Sequence, residues 1–291
     1  MNGRLVAAVI TLGAVWGARA GAECSSVKAC ATECRDGKAA SCDTAGRMFF
    51  NGRGVDADRD VARKLFAIGC NAGSGNACVN LGMMTREGYG IAPDENRAAE
   101  LFEMGCFAGS ARGCVLVGEF CDKRGGDGDA HRAQLAFERA CKAGDRDGCL
   151  RLAKAVGDAG DSVRAAAMFL AGCEKRVAEA CAGAADLYSA GNGVEVDEVR
   201  AKALRTKACD LGDESACLAL AGGLEESEHA ASAVAIYKRL CDRGSGAGCY
   251  RLALLYSEGD GVPADEKRAG RLFKRACDLG DSEACDASSD E

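Results

Sequence analysis

Histidine is nearly absent from this chain: His131 and His229 are the only two in 291 residues. That scarcity removes the histidine clusters of zinc hydrolases, including metal-dependent lactamases. None of the nineteen cysteines forms a C-x-x-C pair, which argues against zinc knuckles and thiol redox catalysis. No apolar run is long enough to span a bilayer, which needs about 20 residues. Basic residues are outnumbered, 37 against 44 acids, for a net charge of −7. A nucleic-acid partner or an anionic membrane surface is therefore not expected. Alternating strand patterns are missing as well, so the expected class is all-α.

What is present begins with an export signal. Arg4 precedes an apolar stretch from Leu5 to Gly17, and Ala18-Arg19-Ala20 offers a small-x-small cleavage site. Cleavage after Ala20 would remove two arginines and no acid, taking the net charge from −7 to about −9. Cys24 lies close to this site, but Glu23 occupies the position where a lipoprotein signal wants a small residue. The expectation is a soluble protein, periplasmic or secreted, with residues 1–20 as signal and 21–291 as one domain. Nineteen cysteines in an exported chain suit an oxidising compartment.

Sixteen of the cysteines fall into pairs eight residues apart: 34/42, 70/78, 106/114, 141/149, 173/181, 209/217, 241/249 and 277/285. Their first members recur every 32 to 36 residues, a period that signals a solenoid of stacked units. Eight residues before the first cysteine stands Ala62, Ala98, Ala133, Ala165, Ala201, Ala233 or Ala269. Four before it stand Phe66, Phe102, Phe137, Phe169, Tyr237 and Phe273, with Arg205 as the exception. This spacing marks one face of a helix, here named B. Twelve before the cysteine come Asp58, Asp94, Asp129, Asp161, Asp197 and Asp265, suited to capping helix B, with His229 in the remaining slot.

Glycine follows the first cysteine by three residues in seven of the eight units, as in "CDLGDSEAC" (277–285), and suits a helix C-terminus. A second helix, A, then carries the second cysteine in its first turn. Four residues beyond that cysteine the side chain is always small: Gly46, Gly82, Gly118, Ala153, Ala185, Ala221 or Ala253. The expected architecture is an α/α superhelical solenoid of about seven helix-pair repeats, each contacting mainly its neighbours.

The phrases "ACVNLGMMTREGYGIAPDENRAAELFEMGC" and "GCYRLALLYSEGDGVPADEKRAGRLFKRAC" resemble the Sel-1-like repeat family, relatives of the tetratricopeptide repeat. The resemblance covers roughly residues 30–287, and the added cysteines resemble its cysteine-rich Helicobacter-type subfamily. It implies disulfides joining helix B of one repeat to helix A of the next: Cys34–Cys42, Cys70–Cys78, Cys106–Cys114, Cys141–Cys149, Cys173–Cys181, Cys209–Cys217, Cys241–Cys249 and Cys277–Cys285. It also implies an adaptor or scaffold role, while some subfamily members carry penicillin-binding or β-lactamase labels.

Structural staples are the favoured reading of the paired cysteines; closing about nine residues is worth about 2.5 kcal/mol each in the loop-entropy model. Cys24 and Cys30 could close an N-terminal cap or remain reactive. Cys121 stands where other units have Phe49, Tyr188 or Tyr256 and reads as a buried thiol. A serine lactamase would need S-x-x-K, S-D-N and K-T-G elements; only Ser25-x-x-Lys28 is present, just inside the mature chain. His131 and His229 read as exposed spectators, and Arg97, Arg132, Arg164, Arg200 and Arg268 as recurring scaffold residues on the solvated side of helix B.

The expected function is thus an exported, monomeric scaffold binding a protein or peptide on a concave surface, without metal, cofactor or chemistry of its own. Variable helix-A positions would carry specificity, with Asn80, Met83, Met84, Arg251, Leu254 and Leu255 as candidates. The alternative is a β-lactamase-type hydrolase or a binder of cell-wall compounds.

Overall fold

The computed structural model describes residues 24–225 and 229–289; the expected signal, residues 1–20, lies outside them. The described residues contain sixteen α-helices and no strand. The chain divides into two compact units, one ending at Asp94 and one beginning at Glu95.

The first unit holds α1 (Val27–Arg35), α2 (Ala39–Asn51), α3 (Arg59–Asn71) and α4 (Gly75–Glu87). The second holds α5 (Glu95–Phe107), α6 (Ala111–Arg124), α7 (Asp129–Lys142), α8 (Arg146–Asp158), α9 (Ser162–Glu174) and α10 (Ala178–Ala190). It continues through α11 (Glu198–Leu211), α12 (Glu214–Glu225), α13 (Ala230–Asp242), α14 (Gly246–Glu258), α15 (Glu266–Asp278) and α16 (Ser282–Ser289). Within each unit, helices pack on their sequence neighbours and on the next helix but one, the nearest-neighbour pattern of a solenoid. Odd-numbered helices are the B type from α3 onward; even-numbered helices are the A type.

Alanine eight before the first cysteine is buried in every B helix from α3 to α15, where it lets adjacent helices approach. Small residues of the A helices receive the aromatic ring of the next B helix. A Cβ on Gly46 would lie 2.6 Å from the Phe66 ring, and one on Gly118 would lie 2.3 Å from the Phe137 ring. Both rings are almost wholly buried, Phe66 at 2% and Phe137 at 1% exposed. Where α8 has Ala153 instead, the Phe169 ring lies against Gly183 of α10 and stays half-buried.

Asp58, Asp161, Asp197 and Asp265 cap α3, α9, α11 and α15, each accepting the N–H three residues on. Asp129 does not: Gly128 is the N-cap of α7, and Asp129 is 1% exposed inside its first turn. Its carboxylate accepts from Arg124, with Nε at 2.6 Å, and from the Gly126 N–H at 2.9 Å, clamping the 125–128 turn from within. Chiefly through the Arg124 hydrogen bonds, its carboxyl is lowered to about 2, and Gly126 and Arg132 pull the same way. His229 takes the N-cap place of α13 without a side-chain cap.

At seven B-to-A corners glycine adopts a positive φ, Gly37, Gly73, Gly109, Gly144, Gly212, Gly244 and Gly280. The eighth corner has Arg176 at φ 62°, the one non-glycine residue with positive φ among the described residues. In the A-to-B turns, Gly261 touches an earlier B helix. A Cβ there would come within 2.4 Å of the Ala230 carbonyl carbon at the start of α13.

Candidate functional site

The corners hold the sulfurs at bonding distance. The eight pairs named from the spacing have S–S distances from 1.98 to 2.09 Å and Cα–Cα distances from 4.4 to 4.6 Å. Cys24 and Cys30 form a ninth bridge with Cα atoms 5.1 Å apart. Cys121 is a free thiol with no exposure, and burial pushes it above the ordinary cysteine value. Each of the eight i, i+8 bridges ties an odd-numbered helix to the A helix that follows it.

A hollow of about 680 Å³ in the second unit opens over α6, α7 and α8. Asp122 reaches it from α6, His131 and Gln134 from α7, and Arg151, Lys154 and Asp158 from α8. The floor is the buried Phe137 ring, with the Arg151 guanidinium 6.0 Å above its centre. Arg151 is held from both sides, by Glu119 at 2.7 Å and Asp147 at 2.8 Å. Desolvation in the groove raises the Asp122 carboxyl above its ordinary value, against the pull of Arg151 and Lys154. Lys154 and Asp158 are exposed. Alternating charges on a rigid floor suit hydrogen bonding to a polar peptide chain. Among the described residues, no group of three or more His, Cys, Asp or Glu is placed to hold a metal ion.

The six helix-A positions singled out from the sequence behave differently. Met84 and Leu255 are 2% and 4% exposed, so they are core residues and not partner contacts. Helix A packs on both flanks, which buries positions that a single apolar face would leave open. Asn80 is half-buried and donates to Asp43 Oδ1 at 2.6 Å, tying α4 to α2. Met83 and Leu254 are half-buried, and Arg251 is exposed. His131 is exposed as expected, yet it lines the groove. Its spacing within the repeat carried no signal of that.

Ser25 and Lys28 are both exposed at the entry to α1, where Ser26 supplies the cap. No described hollow includes them. The recurring arginines of helix B have a packing role: Arg200 lies 4.5 Å from the Tyr188 ring centre and Arg268 lies 4.3 Å from that of Tyr256. Where Cys121 replaces the aromatic residue, Arg132 turns to Glu103 at 2.5 Å.

Consecutive antiparallel helix pairs with a small-residue seam and stapled corners define a helix-pair repeat protein of the solenoid type. The Sel1 repeat model matches residues 39–74, 75–110, 178–213 and 246–281, and the chain belongs to the Sel1 repeat family. No curated protein matches it in sequence. Among solved structures, a Sel1 repeat protein from Oxalobacter formigenes is 20% identical with a TM-score of 0.71, covering 91% of this chain and 79% of that one. A protective antigen of uropathogenic Escherichia coli with an SLR fold is 22% identical with a TM-score of 0.66, covering 88% of this chain. This chain spans 57% of that antigen. Yeast Tom70 is 13% identical with a TM-score of 0.55, covering 90% of this chain and 58% of that one. The Sel1 fold is of the protein-interaction scaffold type.

Proposed function

We propose that the chain is an exported scaffold that binds a protein or peptide partner along its A helices and performs no chemistry on it. The supporting observation is the open, mixed-charge groove over α6, α7 and α8, whose Lys154 and Asp158 are exposed above an aromatic floor. Nine bridges fit an oxidising compartment such as the periplasm or the exterior. No helix among the described residues is long and apolar enough to cross a membrane. One molecule suffices for binding in this reading, and residues 21–291 act together as the scaffold.

The test is crosslinked capture from envelope extract by the purified chain. Capture of a defined partner is expected, and it falls about tenfold in the double charge reversal Lys154→Glu with Asp158→Lys, both solvent-exposed. Empty capture combined with nitrocefin hydrolysis that survives repurification would refute the scaffold.

A further inference from the structure

A second hollow, of about 370 Å³, sits on the B-to-A corner closed by Cys141 and Cys149. One of its lining residues, Ala171 of the next B helix, is short where other units carry a longer side chain. Two residues before the first cysteine, the B helix lays an arginine back over the preceding corner in three other units. Arg139 lies 4.9 Å from the ring centre of Phe107, which stays 74% exposed, Arg239 reaches Cys209 Sγ at 2.7 Å, and Arg275 reaches the Cys241 carbonyl at 2.9 Å. In α9 that position is Ala171, too short to cross, and the Cys141–Cys149 corner lies bare.

The bare corner has its own chemistry. Leu150, Ala153, Met168, Phe169 and Val177 give it an apolar wall. The corners covered by Arg239 and Arg275 present Asp210 and Asp242 to those arginines. This corner has Lys142 in the equivalent place, engaged with Glu138 at 2.8 Å. Its lining adds two exposed cations, Arg146 and Lys175, and no acid. Neither cation makes an ion pair among the described residues. The polarity of the corner is thus reversed: an arginine is repelled, and a carboxylate is attracted.

We propose that this corner docks an acidic peptide segment of a partner protein through one aliphatic side chain. The side chain enters the hollow left by Ala171, and flanking carboxylates meet Arg146 and Lys175. This gives the scaffold reading a partner chemistry, and it uses a surface separate from the groove over α6, α7 and α8. Apolar burial supplies the anchor and the two cations select the sign of its neighbours.

The probe is an acetylated, amidated pentapeptide with leucine between paired glutamates, titrated into the full chain carrying 13C-methyl methionine. The Met168 methyl resonance is expected to shift and saturate. An alanine-centred peptide binds about tenfold more weakly, having lost most of the buried apolar group. A lysine-flanked leucine peptide produces no saturable shift. Ala171→Met, which fills the hollow without adding charge at an exposed site, abolishes the response while the melting temperature stays unchanged. Arg146→Glu with Lys175→Glu weakens binding about tenfold or more. The proposal is overturned if no peptide shifts Met168 at millimolar concentration, if the lysine-flanked peptide binds as well, or if Ala171→Met binds like the parent. Empty envelope capture together with persistent nitrocefin hydrolysis would refute the scaffold reading while leaving the Met168 response intact.

Discussion

The repeat at 246–281 and the stretch at 146–177 are built from the same helix pair, yet only the first matches the Sel1 pattern. In the first, Gly261 presses the turn against α13, Arg268 lies over Tyr256, and Arg275 seals the preceding corner. In the second the turn is shorter, Val156 fills the aromatic slot, Arg176 replaces the corner glycine, and Ala171 leaves a corner open. The hollows of about 680 and 370 Å³ both involve α8. Regularity buries surface in this fold, and departures from it make hollows. The places to look for specificity in a repeat protein are therefore those where the repeat is worst.

The sharpest break to the regular region is Gly261→Ala. Its Cβ would strike the Ala230 backbone, which no rotamer change relieves. A loss of about 3 kcal/mol or more is expected, read as early melting and as faster amide exchange in α13 to α15. Repairing the irregular stretch should work in the other direction. Arg176→Gly removes a left-handed non-glycine residue and is expected to gain about 1 kcal/mol, raising the melting temperature by a few degrees. An unchanged or lower melting temperature would show that Arg176 makes contacts worth more than its backbone strain.

The smallest effect concerns a further irregular segment, 111–145. Asp129 is depressed to about 2 from an ordinary 3.8, so its contribution is present above the ordinary value and lost as pH falls toward 2. Carboxyl resonances followed from pH 5 downward should show Asp129 titrating near 2. Arg124→Gln should move that midpoint upward and increase exchange at the Gly126 amide. A midpoint near 3.8 in the parent protein would contradict the buried clamp.

The cysteine spacing and the alanine slot made the helix pairs, their order and their corners legible, because both follow from contacts repeated in each unit. Four of the expected aspartate caps occupy their places with the capping bond made. Asp129 broke the pattern because its partners are Arg124, the last residue of α6, and Gly126 of a turn with a different length. Met84 and Leu255 were placed on the surface because one helix seen alone shows one apolar face, while an A helix in the stack is flanked twice. The groove over α6, α7 and α8 was not legible at all. It depends on three helices converging, and its Asp122, His131 and Gln134 recur at the matching place in no other unit. The bare corner left a faint trace: Ala171 stands where other units have Ile68, Met104, Arg139, Lys207, Arg239 or Arg275.

Cys121 carries a consequence for how the bonds are made. It lies seven residues from Cys114, closer along the chain than Cys106, the true partner of Cys114 at eight. In an unfolded chain, nearness alone would favour the wrong bond. Once α6 forms, Cys114 and Cys121 are separated by seven residues of helix, about 10.5 Å of rise, beyond the span a disulfide can bridge. Helix formation on microsecond scales runs far ahead of thiol oxidation over seconds or longer. Secondary structure thus acts as the proofreader of oxidation, since the helix that carries Cys114 and Cys121 holds the two apart.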